Sequence, residues 1–134
     1  MKFLKIKETC LYLHDLEQAK KFYHEVLELP LISYVPGKHI FFTAGSSVLL
    51  CFNPNDSREK VSLPAHYGGG KQHFAFEVAL EEYEQAKIWI KQKGITITDT
   101  VVWKSGKESF YFEDPEGNVL EIVPDTGIWP ENQG

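Results

Sequence analysis

One order of local patterns occurs twice in this chain, and that repetition restricts the fold more than any other feature. In the first half, Lys5 to Leu13 alternates as a strand does, with Glu8, Cys10 and Tyr12 on one face and Thr9, Leu11 and Leu13 on the other. Asp15 reads as a helix N-cap, with Gln18 completing a capping-box pattern. Leu16, Ala19, Phe22, Tyr23, Val26 and Leu27 follow at helical spacing, and the helix must stop before Pro30. Leu31 to Val35, His39 to Thr43 and Val48 to Asn53 read as strands, parted by Pro36-Gly37 and Gly45-Ser46-Ser47. The second half repeats this β-α-β-β-β order. Gln72 to Val78 is a strand; Leu80 to Lys93 carries a helical stripe with Gly94 as its C-cap; Ile95 to Trp103, Ser109 to Phe112 and Val119 to Val123 are strands. Between the halves, residues 55–70 are polar, contain Pro64 and end in Gly68-Gly69-Gly70, which reads as a linker. The expectation is one domain over residues 1–134: a first module at 5–54, the linker at 55–70, a second module at 71–125 and a tail at 126–134.

The halves match in detail. Leu16-Glu-Gln-Ala-Lys-Lys-Phe22 parallels Tyr83-Glu-Gln-Ala-Lys-Ile-Trp89, and Glu8 falls opposite His73. Aligning Pro54 with Pro124 places Cys51 opposite Glu121. Each half then offers a sheet with a helix on one face. Phe74, Phe76, Leu120 and Ile122 share the helix face, while Glu8, His73 and Glu121 share the other, which must curl over something. Asp114-Pro115-Glu116-Gly117 has the residues of a type I turn and joins the last two strands. Glu121 stands in the middle of the last strand among apolar residues. A carboxylate in such a place is paired, metal-bound or protonated, or else its sheet face is open to solvent.

Composition narrows the partners. A chain of 134 residues that is 43% apolar and 25% charged, with nine phenylalanines, can bury the core of one domain. A net charge of −5 with no basic run argues against nucleic acid as a partner. No apolar stretch reaches the length of a membrane span, and Met1-Lys-Phe-Leu-Lys-Ile-Lys7 lacks a signal-peptide core, so the expected location is cytoplasmic with no membrane contact. Cys10 and Cys51 are then expected as thiols.

The duplicated unit, the Asp15-Leu-Glu-x-Ala-x-x-Phe22-Tyr23 opening of the first helix, the His73-Phe-Ala-Phe76 strand and the Tyr111-Phe-x-Asp-Pro-x-Gly-Asn-x-x-Glu121 ending resemble the vicinal oxygen chelate superfamily. That group includes glyoxalase I, fosfomycin-resistance thiol transferases, bleomycin-binding proteins and extradiol dioxygenases. The resemblance spans nearly the whole chain. It implies an α+β fold in which two tandem β-α-β-β-β modules form a cup-shaped mixed sheet, with helices on the outer face and one divalent metal inside, usually in a homodimer. Its ligand positions fall on Glu8, Cys51, His73 and Glu121. Glyoxalases more often carry His or Gln at the first and Glu at the second. Here these are Glu8 and Cys51, so the expected metal ligands are Glu8, His73 and Glu121, with Cys51 facing the cup as a substrate contact. One imidazole and two carboxylates suit Mn²⁺, Mg²⁺, Ni²⁺ or Zn²⁺ and leave coordination positions open. Glu8 and Glu121 are the expected catalytic groups; Tyr12, Cys51, Trp103, Ser109 and Tyr111 are the expected substrate contacts. The implied function is a metal-dependent isomerase, lyase or thiol transferase acting on a small substrate that chelates through adjacent oxygens. The alternative is a metal-free antibiotic-sequestering protein with an aromatic cup of Tyr12, Phe42, Trp103 and Tyr111.

Overall fold

A computed structural model describes residues 1–130. The last four residues of the expected tail lie outside the described residues. The chain divides into two compact units, the first ending at Gly70 and the second beginning at Lys71. In the first, β1 (Glu8–Tyr12) is followed by α1 (Leu16–Ala19), which runs directly into a π-helical segment, Lys20–Val26. Then come β2 (Leu31–Val35), β3 (His39–Ala44), β4 (Ser47–Phe52) and the single turn α2 (Pro54–Ser57). The second unit holds β5 (His73–Val78), a 3₁₀ turn (Leu80–Glu82), α3 (Tyr83–Gln92), β6 (Asp99–Val102), β7 (Glu108–Glu113) and β8 (Val119–Pro124). The sheets are ordered β1-β4-β3-β2 and β5-β8-β7-β6. In each, the first strand pairs parallel with the last and the other pairs are antiparallel. The fold is α+β, built of two modules as expected. Among the described residues no helix is long and apolar enough to cross a membrane.

The local signals act as their chemistry demands. Asp15 caps α1 by accepting from the Gln18 amide at 3.0 Å. Gly94 takes φ +80 just after α3, a conformation costly to any residue with a Cβ. Three expectations differ. The first strand is shorter than Lys5 to Leu13, because β4 starts only at Ser47 and leaves β1 its ladder partners from Glu8 onward. The strand expected over Ile95 to Trp103 is paired only at Asp99–Val102. The expected linker begins inside a helical turn, capped by Asn53, whose side chain accepts from Asn55 N at 3.0 Å.

Each unit buries one sheet face beneath its helix. In the first, Leu11, Leu13, Ile40, Phe42, Leu49 and Cys51 pack with Leu16, Ala19, Tyr23 and Leu27, and the rings of Tyr23 and Phe42 lie 5.7 Å apart. In the second, Phe110, Phe112, Leu120 and Ile122 pack with Tyr83 and Ile90, with Tyr83 and Phe110 at 5.6 Å. Each fully buried large side chain contributes on the order of 1.5–3 kcal/mol. Because side chains alternate along a strand, the opposite face carries Glu8, Cys10 and Tyr12 in one unit, and His73, Ser109, Tyr111 and Glu121 in the other.

Candidate functional site

β5 and β8 lie side by side with His73 opposite Val119 and Ala75 opposite Glu121, so His73 and Glu121 are diagonal neighbours on the non-helix face. The Nδ1 of His73 donates to the Val119 carbonyl at 2.8 Å. A carbonyl can only accept, so the Nδ1 proton is fixed and the lone pair of the neutral ring falls on Nε2. That Nε2 stands 3.3 Å from Oε1 of Glu121, a residue only 6% exposed. With the ring neutral, its Nε2 lone pair and the buried carboxylate face one another, an arrangement that could hold a cation, and the imidazole is oriented as metal-bound histidines are.

A chain of side chains holds Glu121 from the other side. Trp103 Nε1 donates to Ser109 Oγ at 3.0 Å. Ser109 in turn bonds to the Tyr111 hydroxyl, and Tyr111 bonds to Glu121. The Tyr111 phenol is pushed above its ordinary pKa, first by burial and then by the charge and hydrogen bond of Glu121, so it is a protonated donor at neutral pH. Ser109 is fully buried, with its hydroxyl engaged inside this chain. Its place is behind Tyr111, which corrects the expectation of a direct substrate contact.

The turn between β7 and β8 positions both residues. Asp114 Oδ1 accepts from the Glu116 and Asn118 amides at 2.9 Å, and Asp114 Oδ2 accepts from Asn118 Nδ2 at 2.9 Å. Asn118 Oδ1 accepts from the Gln72 amide at 2.9 Å. One polar knot therefore sets the residue before His73 and the start of the strand bearing Glu121.

In the first unit, Glu8 heads β1 opposite Val48, the place His73 holds opposite Val119. Cys10 and Tyr12 follow on the same face. Burial, and next the Glu8 charge, raise the Cys10 thiol pKa. Cys10 and Cys51 are both thiols. Cys51 does not take the place expected of it. It pairs with Leu11 and Ile40 and is completely buried on the helix face. The residue equivalent to Glu121 is Leu50, and the equivalent of Tyr111 is Phe41. The proline alignment was off by one, and a one-residue slip reverses the face of a strand. Phe42 is likewise core, packed on Tyr23, and lines no open face. Within either unit, among the described residues, no group of three His, Cys, Asp or Glu side chains is placed to hold a metal. The second unit brings two of the expected ligands together, and Glu8 belongs to the first.

Sequence reasoning passed over His39 and His66. His39 lies on β3 opposite Phe52, on the same face as Tyr12, and strand alternation from Phe42 would have placed it there. Its pKa is lowered by burial first, then by Lys60. His66 reaches the same face from a loop, where its Nδ1 meets the Tyr12 hydroxyl at 2.8 Å. No periodicity signals a loop residue.

Comparison with known proteins completes the description. A family model described as Glyoxalase/Bleomycin resistance protein/Dioxygenase superfamily matches residues 5–122. The chain is 34% identical over 121 residues to the glutathione transferase FosA of Serratia marcescens, covering 87% of this chain and 78% of that protein. It is 23% identical over 123 residues to the metallothiol transferase FosB of Staphylococcus epidermidis, covering 91% and 82% respectively. Among solved structures it is similar to a lactoylglutathione lyase from Agrobacterium tumefaciens, with TM-score 0.88, 31% identity, and coverage of 93% of this chain and 96% of that one.

Proposed function

The chain belongs to the Glyoxalase/Bleomycin resistance protein/Dioxygenase superfamily, and from that premise we propose that it is a divalent-metal-dependent enzyme that makes or rearranges a thiol adduct of a small, oxygen-chelating substrate. The observation that carries this reading is the His73–Glu121 pair: Nδ1 tied to Val119, Nε2 facing a buried carboxylate at 3.3 Å. The donor set fits a hard or borderline cation. His73 and Glu121 would hold it, and Glu8, the counterpart of His73 in the first module, would supply the third ligand from the same chain or from a second copy. The thiol chemistry is suggested by the names of the similar proteins, which speak of glutathione, a metallothiol and lactoylglutathione.

When bound, a divalent cation would polarise the substrate oxygens and stabilise negative charge developing on them. The chain's own residues do the rest. Tyr111, anchored through Ser109 and Trp103, keeps Glu121 oriented. Glu8, exposed at the head of its strand, would accept a proton through a carboxylate oxygen not engaged with the cation.

Metal analysis tests the reading. Protein dialysed against Mn²⁺, Ni²⁺ or Zn²⁺ should retain close to one ion per chain, and the loaded protein should consume glutathione in the presence of an epoxide such as fosfomycin. Retention of no ion at all would remove the enzyme reading and leave the sequestering one.

A further inference from the structure

The non-helix face of the first unit carries a second cluster that the metal reading does not use. Tyr12, Phe52 and His39 stand in one row across β1, β4 and β3, and Phe41 stands in the next row. The His39 ring lies flat on Phe41, with centroids 4.1 Å apart and planes at 11°. Phe52 is met edge-on by His66 at 4.6 Å and by Phe41 at 5.3 Å. All five side chains are half-buried.

Each imidazole is fixed through one ring nitrogen. Ser33 Oγ lies 3.3 Å from His39 Nε2, and the Tyr12 hydroxyl lies 2.8 Å from His66 Nδ1. The phenol is the better acid, so it donates to Nδ1 and leaves the His66 proton on Nε2. Among the described residues that N–H has no partner. The chain takes trouble to bring it there. His66 N donates to the Ser57 carbonyl at 3.2 Å, and Gly68 lies so close to Tyr12 that a Cβ would meet Cδ2 at 2.9 Å. Packing alone would be served by an apolar side chain in place of His66. Lys60 is paired with Asp56 at 3.2 Å, and Lys38 adds a further positive charge beside His39.

We propose that this cluster binds a small aromatic acid. Its ring lies against Phe41 and Phe52, and its carboxylate accepts a hydrogen bond from Nε2–H of His66. The rings favour an aromatic body through edge and offset contacts; the open donor and Lys38 favour the acid. The site is built from the first unit alone and stands apart from the metal reading.

The test uses the full chain kept metal-free with a chelator. Phenylacetate, 2-phenylethanol and acetate are titrated in turn, read by calorimetry and by the ring signals of His39 and His66 in NMR spectra. Phenylacetate should saturate and move both histidines, and the other two should bind at least about tenfold more weakly. His66→Phe keeps a ring against Phe52 but removes the donor, and should weaken phenylacetate about tenfold. If that variant does not fold, Phe52→Leu decides by the same measure. Acetate binding as well as phenylacetate, 2-phenylethanol binding as well, unchanged binding in the variants, or no saturable binding of phenylacetate would each overturn the proposal. Because no metal is present, any of these outcomes leaves metal retention to be judged separately.

Discussion

A carboxylate as deeply placed as Glu121 costs several kcal/mol unless its charge is met, and here the Tyr111 hydroxyl donates a hydrogen bond to it. Two substitutions separate holding a metal from orienting its ligand. His73→Ala should remove most of the bound metal while leaving the fold, because the core lies on the other sheet face. Tyr111→Phe removes only the donor to Glu121 and should weaken metal affinity by about 10–100-fold, the usual effect of losing a residue that orients a ligand; both are read by competition with a chelator. Cys51 tests the opposite case. Cys51→Ala should lower stability by about 1–2 kcal/mol through a small cavity and leave metal content unchanged, since its sulfur is sealed on the helix face. Loss of metal in that variant would contradict this placement.

Among the elements, the β7–β8 turn does more than reverse the chain. Asp114 is 5% exposed and binds the amides of Glu116 and Asn118, and Asn118 binds the amide preceding His73. Asp114→Ala leaves those buried amides unmatched and should cost about 2–4 kcal/mol, seen as a lower denaturant midpoint. On the other face, α3 is tied to β7 through Glu108, which accepts from Lys87 at 2.6 Å and from Tyr83 at 2.9 Å. The Lys87 hydrogen bond first, and the Tyr83 hydroxyl with it, hold the Glu108 carboxyl below its ordinary 4.5. A depressed carboxyl contributes stability that is complete above the unfolded value and is lost as pH falls through the lower folded value. Glu108→Gln should therefore flatten the acid side of the stability profile below pH 4.5, by no more than about 1 kcal/mol because the pair is partly solvated.

At the scale of the molecule, the described strands leave each sheet with two edge strands: β1 and β2 in one unit, β5 and β6 in the other. Unpaired edges invite pairing with another chain, and Glu8 and His73 each head an edge strand. The expected assembly is a homodimer, the commonest closed arrangement for such a chain. Sedimentation velocity at micromolar concentration should show twice the chain mass; a monomer there would also leave any third metal ligand to come from within the chain.

The α+β repeat, the Asp15 cap, the Gly94 stop and the Asp114 turn were legible in the sequence because each is written in neighbouring residues: alternation, helical spacing, a side chain reaching a nearby amide. Alternation also put His73 and Glu121 on one face, since a strand has only two. Tertiary pairing decided the rest. Whether Leu50 or Cys51 answers to Glu121 depends on where β1 meets β4, a contact between residues forty apart or more that no local pattern records. The prolines misled because Pro124 still belongs to its strand whereas Pro54 opens a helical turn beyond the end of its own. His66 could be seen only once the loop had folded back, since what places it is the hydroxyl of Tyr12 and the carbonyl of Ser57, not its neighbours in the chain.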